Sequence, residues 1–152
     1  MSNWKQTLLK GAQEKGMCGD YLEPLSLCVD KISAIELYKM EPKWALTHDY
    51  PTLDELRRDF SIFGIEGLFV DTDFHGEILN EENCYIFHAC KGTIRTGLNV
   101  DKAIIPDLHF AHGCHVEVLS EGVPAQVEIH VYGDDNVIAT KGDSIFKIHR
   151  HD

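Results

Sequence analysis

Histidine and cysteine crowd one short stretch of this chain, His112-Gly113-Cys114-His115, and His88 and Cys90 precede it in Phe87-His88-Ala89-Cys90. Imidazole and thiolate are good ligands for zinc, which takes four of them at about 2.0 to 2.3 Å. An imidazolium beside a thiol also lowers its pKa and makes a nucleophile. An extended backbone limits both uses, because His112 and Cys114 share one face and His115 points to the other. No Gly-rich elbow or pair of oxyanion donors surrounds Cys114. The expected arrangement is a buried cysteine ladder with histidines at the surface and no cofactor. A metal, if one bound, would draw on His112, Cys114 and Cys90.

Two further groups carry chemistry. The carboxylate pairs Asp71 and Asp73, and Asp134 and Asp135, suit acid/base work or calcium, yet both lie in turn-like wording where Asp and Asn bond their own backbone. The spaced five or six oxygen ligands of a calcium loop are missing. Trp44, His48 and Tyr50 fall on a helix end and turn, with Arg57 and Arg58 following. An aromatic face and a guanidinium fork can clamp a nucleotide in a groove between two subdomains. These five residues are the candidate ligand site, set against Trp44 as a plug between subdomains.

The elements that must position these groups change character near residue 61. Before it the pattern is helical. Leu8, Leu9 and Ala12 share a face of a helix from about Asn3 to a left-handed glycine cap at Gly16. Met17 to Cys28 reads as irregular. Asp30 is the N-cap of a helix with Ile32, Ile35, Leu37 and Tyr38 as its stripe. Pro42 opens a short helix to His48, and Thr52-Leu53-Asp54-Glu55 is a capping box that starts another, with Leu53, Leu56 and Phe60 inward.

After residue 61 short β-rich runs alternate with Gly, Asn and Asp turns. Val127, Ile129 and Val131 alternate with Glu128 and His130, so one face is buried and one wet. The basic run from Lys147 to Asp152 reads as an edge strand protected from aggregation by charge, which accounts for it without a nucleic-acid role. Three segments repeat a pattern: Phe87–Ile94, Phe110–Val118 and Val131–Ala139. Cys90 and Cys114 are 24 positions apart, Cys114 and Asp135 are 21 apart, and this suits one coil of a β-solenoid. Stacking then places Cys90 over Cys114 and Asp135, Gly92 over Val116 and Val137, and Ile94 over Val118 and Ala139. An antiparallel sandwich is the rival. The expected fold is α+β, a single domain over 1–152 with a helical part (about 1–60) packed on a solenoid-like or sandwich-like part (61–152).

Acidic residues outnumber Lys and Arg by 25 to 14, a net charge of −11 that repels nucleic acid and anionic membrane surfaces. The first residues lack a basic region followed by an apolar run, and five cysteines without CxxC spacing suit reduced thiols, so a cytoplasmic protein is expected. Several stretches, including Pro42-Lys43-Trp44-Ala45-Leu46, Tyr50-Pro51-Thr52-Leu53, Phe74-His75-Gly76-Glu77, Tyr85–Ile94 and Gly97–Pro106, resemble a family of uncharacterised proteins found in phages and mobile elements of Bacteroides-type gut bacteria. The resemblance spans most of residues 30 to 140 and brings no site residues with it. It implies a small accessory protein acting inside a bacterial host.

With that context, the leading expectation is a non-enzymatic protein that grips a host protein or sequesters a small ligand. The alternatives are a virion or assembly component, because solenoid ends invite self-association, and a metal-dependent hydrolase built on the His/Cys cluster.

Overall fold

The computed structural model describes residues 4–60, 66–79, 81–96, 106–120, 126–142 and 144–151. Among the described residues five helices come first: α1 (Trp4–Glu14), α2 (Gly19–Leu27), α3 (Lys31–Tyr38), α4 (Pro42–Thr47) and α5 (Leu53–Asp59). Nine strands follow among the described residues: β1 (Leu68–Val70), β2 (Asp73–Ile78), β3 (Cys84–His88), β4 (Lys91–Thr96), β5 (Asp107–Ala111), β6 (His115–Ser120), β7 (Gln126–Tyr132), β8 (Val137–Gly142) and β9 (Ile145–His151). Odd-numbered strands form one parallel sheet in the order β1-β3-β5-β7-β9, and even-numbered strands form a second, β2-β4-β6-β8. Each coil therefore gives one strand to each sheet, which is a β-solenoid and not an antiparallel sandwich. The fold is α+β with its helices N-terminal.

Local chemistry starts the helices where expected. The Asp30 side chain accepts from the Ser33 amide at 2.8 Å, and Thr52 and Glu55 exchange both capping-box bonds at 3.3 and 3.1 Å. Gly16 caps the region after α1 with φ +82°. The stretch expected to be irregular is instead α2, with Pro24 inside it. Proline removes one helical hydrogen bond, but Tyr21 and Leu25, one turn apart, are both buried. Tertiary burial outweighs the local penalty. In α3 the buried face is Ala34, Ile35 and Tyr38, while Ile32 is 45% exposed.

The solenoid interior is a stack of aromatic rings. Phe69, Phe87 and Phe110 occupy equivalent positions on β1, β3 and β5, with centroids 5.5 and 4.7 Å apart and nearly parallel planes. Val131 continues the column on β7. The outward residues between them, Leu68, Val70, Ile86, Ala111 and Tyr132, belong to a second core that the helices complete. Helices thus cover part of the outer face of the odd-numbered sheet. Polar ties reinforce the contact: Lys39 Nζ donates to the Glu66 carbonyl at 2.6 Å, and Arg57 forks onto Asp71 at 2.7 and 2.8 Å.

The register corrects the expected stacking by one residue in the last coil. Lys91 pairs with His115, and His115 with Val137. Gly92 and Val116 therefore meet Ile138, not Val137, while Ile94 and Val118 meet Thr140, not Ala139. Asn136, not Asp135, follows Cys90 and Cys114. The cause is the corner between the sheets, which has two residues after β1 and β3, three after β5 and four after β7. The offset of 21 from Phe110 to Val131 grows to 22 across the longer corner, and a repeat read with one offset per segment misses it. Among the described residues no helix is long and apolar enough to cross a membrane.

Candidate functional site

The first corner residue of each coil, Asp71, Ala89, His112 and Gly133, has positive φ, from 52° to 94°. In three of the four a side chain is thereby turned out of the strand direction at the edge of the odd-numbered sheet. His112 uses this position to reach the helices. Its Nε2 lies 2.6 Å from Asp49 Oδ1 and its Nδ1 lies 2.8 Å from His88 Nδ1, whose Nε2 in turn is 3.0 Å from the Tyr38 hydroxyl.

The chain Tyr38–His88–His112–Asp49 has a direction. Burial, followed by the charge of His112, pushes the His88 pKa down to about 3, so its ring is neutral. One order that satisfies every atom runs from the Tyr38 hydroxyl to the Asp49 carboxylate. Tyr38 donates to His88 Nε2, His88 Nδ1–H donates to His112 Nδ1, and His112 Nε2–H donates to Asp49. Burial raises the Tyr38 pKa, so that end of the chain remains a hydroxyl.

Asp49 and His112 open onto a groove of about 270 Å³ between the end of α4 and the corners of the third and fourth coils. Leu46 and Thr47 form its helical wall, and Tyr132, Gly133, Asp135 and His151 its solenoid wall. It carries two carboxylates and two imidazoles. The longer corners after β5 and β7 build this wall.

Beside the groove, on the outer face of the odd-numbered sheet, histidines stack along neighbouring strands. His109 pairs with His130 and His130 with His149, with ring centroids 4.5 and 4.6 Å apart. His109 Nδ1 lies 3.0 Å from the Tyr132 hydroxyl, and His130 Nδ1 lies 3.0 Å from His151 Nε2. Burial first, and then neighbouring imidazoles, pushes the His109 pKa to about 3 and lowers that of His130. Glu128 accepts from Gln126 at 2.6 Å and lies 2.5 Å from His149 Nε2; the contact with His149 holds its carboxyl below the usual range. One ligand atom from each of Glu128, His130 and His149 falls within 4.8 Å of the others.

The residues expected to matter are placed differently. Cys90 and Cys114 form the buried ladder, with the Cys90 amide donating to Cys114 Sγ at 3.4 Å. Asn136 Oδ1 accepts from the Cys114 amide at 2.8 Å and ends the column. The Cys114 thiol is pushed well up, first by its hydrogen bond with Cys90 and then by burial, which disfavours the thiolate a nucleophile needs. His112 turns away to Asp49 and His88, so the metal candidates His112, Cys114 and Cys90 do not share one ligand shell.

Trp44 and His48 stack at 4.5 Å. Tyr50 is buried and donates to the Leu8 carbonyl at 2.9 Å, beside a void of only about 10 Å³. Arg57 is engaged by Asp71 and Arg58 by Asp59. Each of these five residues thus carries a contact within the fold. Asp73 stays exposed on β2, while Asp134 and Asp135 occupy the long corner after β7.

The histidine face escaped sequence reasoning, though a signal was there. Val127-Glu128-Ile129-His130-Val131-Tyr132 and Phe146-Lys147-Ile148-His149-Arg150-His151 alternate alike, and they pair residue for residue. No family model, no curated protein and no solved structure matches the chain.

Proposed function

We propose that this chain is a non-enzymatic binding protein of a phage or mobile element, and that its groove receives a cationic nitrogen group. The observation that carries this is the presence of two carboxylates, Asp49 from the helical part and Asp135 from the solenoid, in the lining of one groove of about 270 Å³. That volume is at the lower edge of small-molecule sites, which run from about 300 to 1,000 Å³. It suits an ammonium or guanidinium on a short chain and is small for a nucleotide.

Electrostatics support the same reading. The net charge of −11 draws cations toward the molecule, and carboxylates accept charge-assisted bonds from ammonium or guanidinium donors. Such a group is offered by a small amine inside the host or by a Lys or Arg side chain of a host protein. The chemistry recognised is the same.

The test is an NMR titration with putrescine and with N-acetylarginine amide. Shifts should concentrate at Asp49, His112, Gly133 and Asp135, with saturation in the millimolar range or tighter, and vanish in Asp49→Asn/Asp135→Asn. A host protein held by the wild type and released by that double variant assigns the source to a protein; retained amine assigns it to a small molecule. Shifts spread evenly over the surface, or unchanged in the double variant, would sink the reading.

A further inference from the structure

We infer that Glu128, His130 and His149 form a binding site for a divalent first-row transition-metal ion of the zinc class, joining the terminal strand β9 to β7. The three side chains come from two neighbouring parallel strands and leave the sheet on one face. His130 and His149 are directly paired, and Glu128 precedes His130 by two residues, so the pleat alone brings them together.

Distances fit one ion. Ligands about 2.0 to 2.2 Å from a zinc-class ion lie up to roughly 4 Å apart, and the three ligand atoms here already sit within 4.8 Å of one another. Glu128 and His149 are closer still, at 2.5 Å. Ligands on one tetrahedral ion stand about 3.4 Å apart, so side-chain rotations would open the Glu128–His149 contact and close the wider gap.

The donor set selects the ion class. Two imidazoles and one carboxylate suit zinc, copper, nickel, cobalt or iron, whereas calcium and magnesium favour all-oxygen sets. Three protein ligands leave a fourth position for water, the composition of open sites. All three residues are half-buried, so an ion can enter from solvent.

Surrounding contacts hold the ligands in place. Gln126 Nε2 donates to Glu128 Oε1 at 2.6 Å. His151 Nε2 meets His130 Nδ1 at 3.0 Å, and His109 stacks on His130 at 4.5 Å. Partners of this kind orient metal ligands, and their loss weakens binding by about 10- to 100-fold. This site is separate from the groove carboxylates Asp49 and Asp135, so the two readings stand or fall independently.

The experiment is titration of untagged, chelator-treated protein with Zn²⁺ by calorimetry and with Co²⁺ by visible absorption. One ion per chain is expected, with a Co²⁺ spectrum of four or five coordination. His149→Ala and Glu128→Gln should each weaken binding at least roughly 100-fold, and Gln126→Ala about 10-fold, while Asp49→Asn leaves it unchanged. Zinc at 100 times its Kd should raise the melting temperature by several degrees and slow amide exchange in β9. Far-UV circular dichroism checks that each variant is folded, and His149→Gln replaces His149→Ala if the latter is not. Well under one ion per chain, or binding unaffected in folded His149 and Glu128 variants, would overturn the site.

Discussion

Ala89 occupies a left-handed corner position at φ 54°, where its neighbours in the column are Asp71, His112 and Gly133. An alanine there carries a steric cost of about 1–2 kcal/mol, part of which glycine returns through the greater freedom of its unfolded chain. Ala89→Gly should raise stability by roughly 0.5–1 kcal/mol. Gly92 is the converse case. At φ 107° a Cβ would lie 2.0 Å from the Phe74 carbonyl oxygen on the adjacent strand, and backbone cannot swing aside as a flexible side chain can. Gly92→Ala should cost more than about 2 kcal/mol. Urea midpoints measure both, and a neutral Gly92→Ala would show that β2 and β4 are less closely held than their pairing indicates.

Elements in this fold draw their stability from different sources. The capping box of α5 is local and partly exposed, so Thr52→Ala should cost about 1 kcal/mol. Phe87 sits fully enclosed between Phe69 and Phe110, and Phe87→Ala should cost about 3–5 kcal/mol because a void opens at the centre of the column. Chemical denaturation of the two variants checks the ranking. Equal losses would mean that the column collapses around the void and that the solenoid interior is softer than its close stacking implies. Helix α2 makes the same point from the other side, since Tyr21 and Leu25 hold a helix that Pro24 opposes.

For the whole molecule, acid should be the weak direction. His88 and His109 are both enclosed and have folded-state pKa values of about 3, below the usual 6.5, with burial the first cause in each. A depressed histidine pKa means that the unfolded chain binds the proton more readily. Stability is then fully present above about pH 6.5 and is lost as pH falls toward 3, at up to about 1.4 kcal/mol per pH unit for each ring. Glu128, held ionised by His149, adds a loss in the same direction at lower pH. Urea midpoints in the presence of a chelator should therefore be lower at pH 5 than at pH 7.5. A higher midpoint at pH 5 would mean that these rings are charged in the folded protein.

Much of this architecture was written in local chemistry. Asp30, Thr52 and Glu55 are capping side chains whose bonds span three residues, and the alternation of Val127, Ile129 and Val131 follows from the pleat. The change from helices to coils near residue 61, and the 24-residue step from Cys90 to Cys114, were legible for the same reason: each is a short-range pattern repeated. Tertiary structure decided the rest. Corner lengths of two, three and four residues set the register of β8 on β6, and the separate pairing of β9 on β7 lays His149 beside His130. Asp49 and His112 are 63 positions apart and meet because α4 packs where a left-handed corner turns an imidazole outward. Contacts at that separation depend on how whole elements dock, and spacing along the chain does not encode docking.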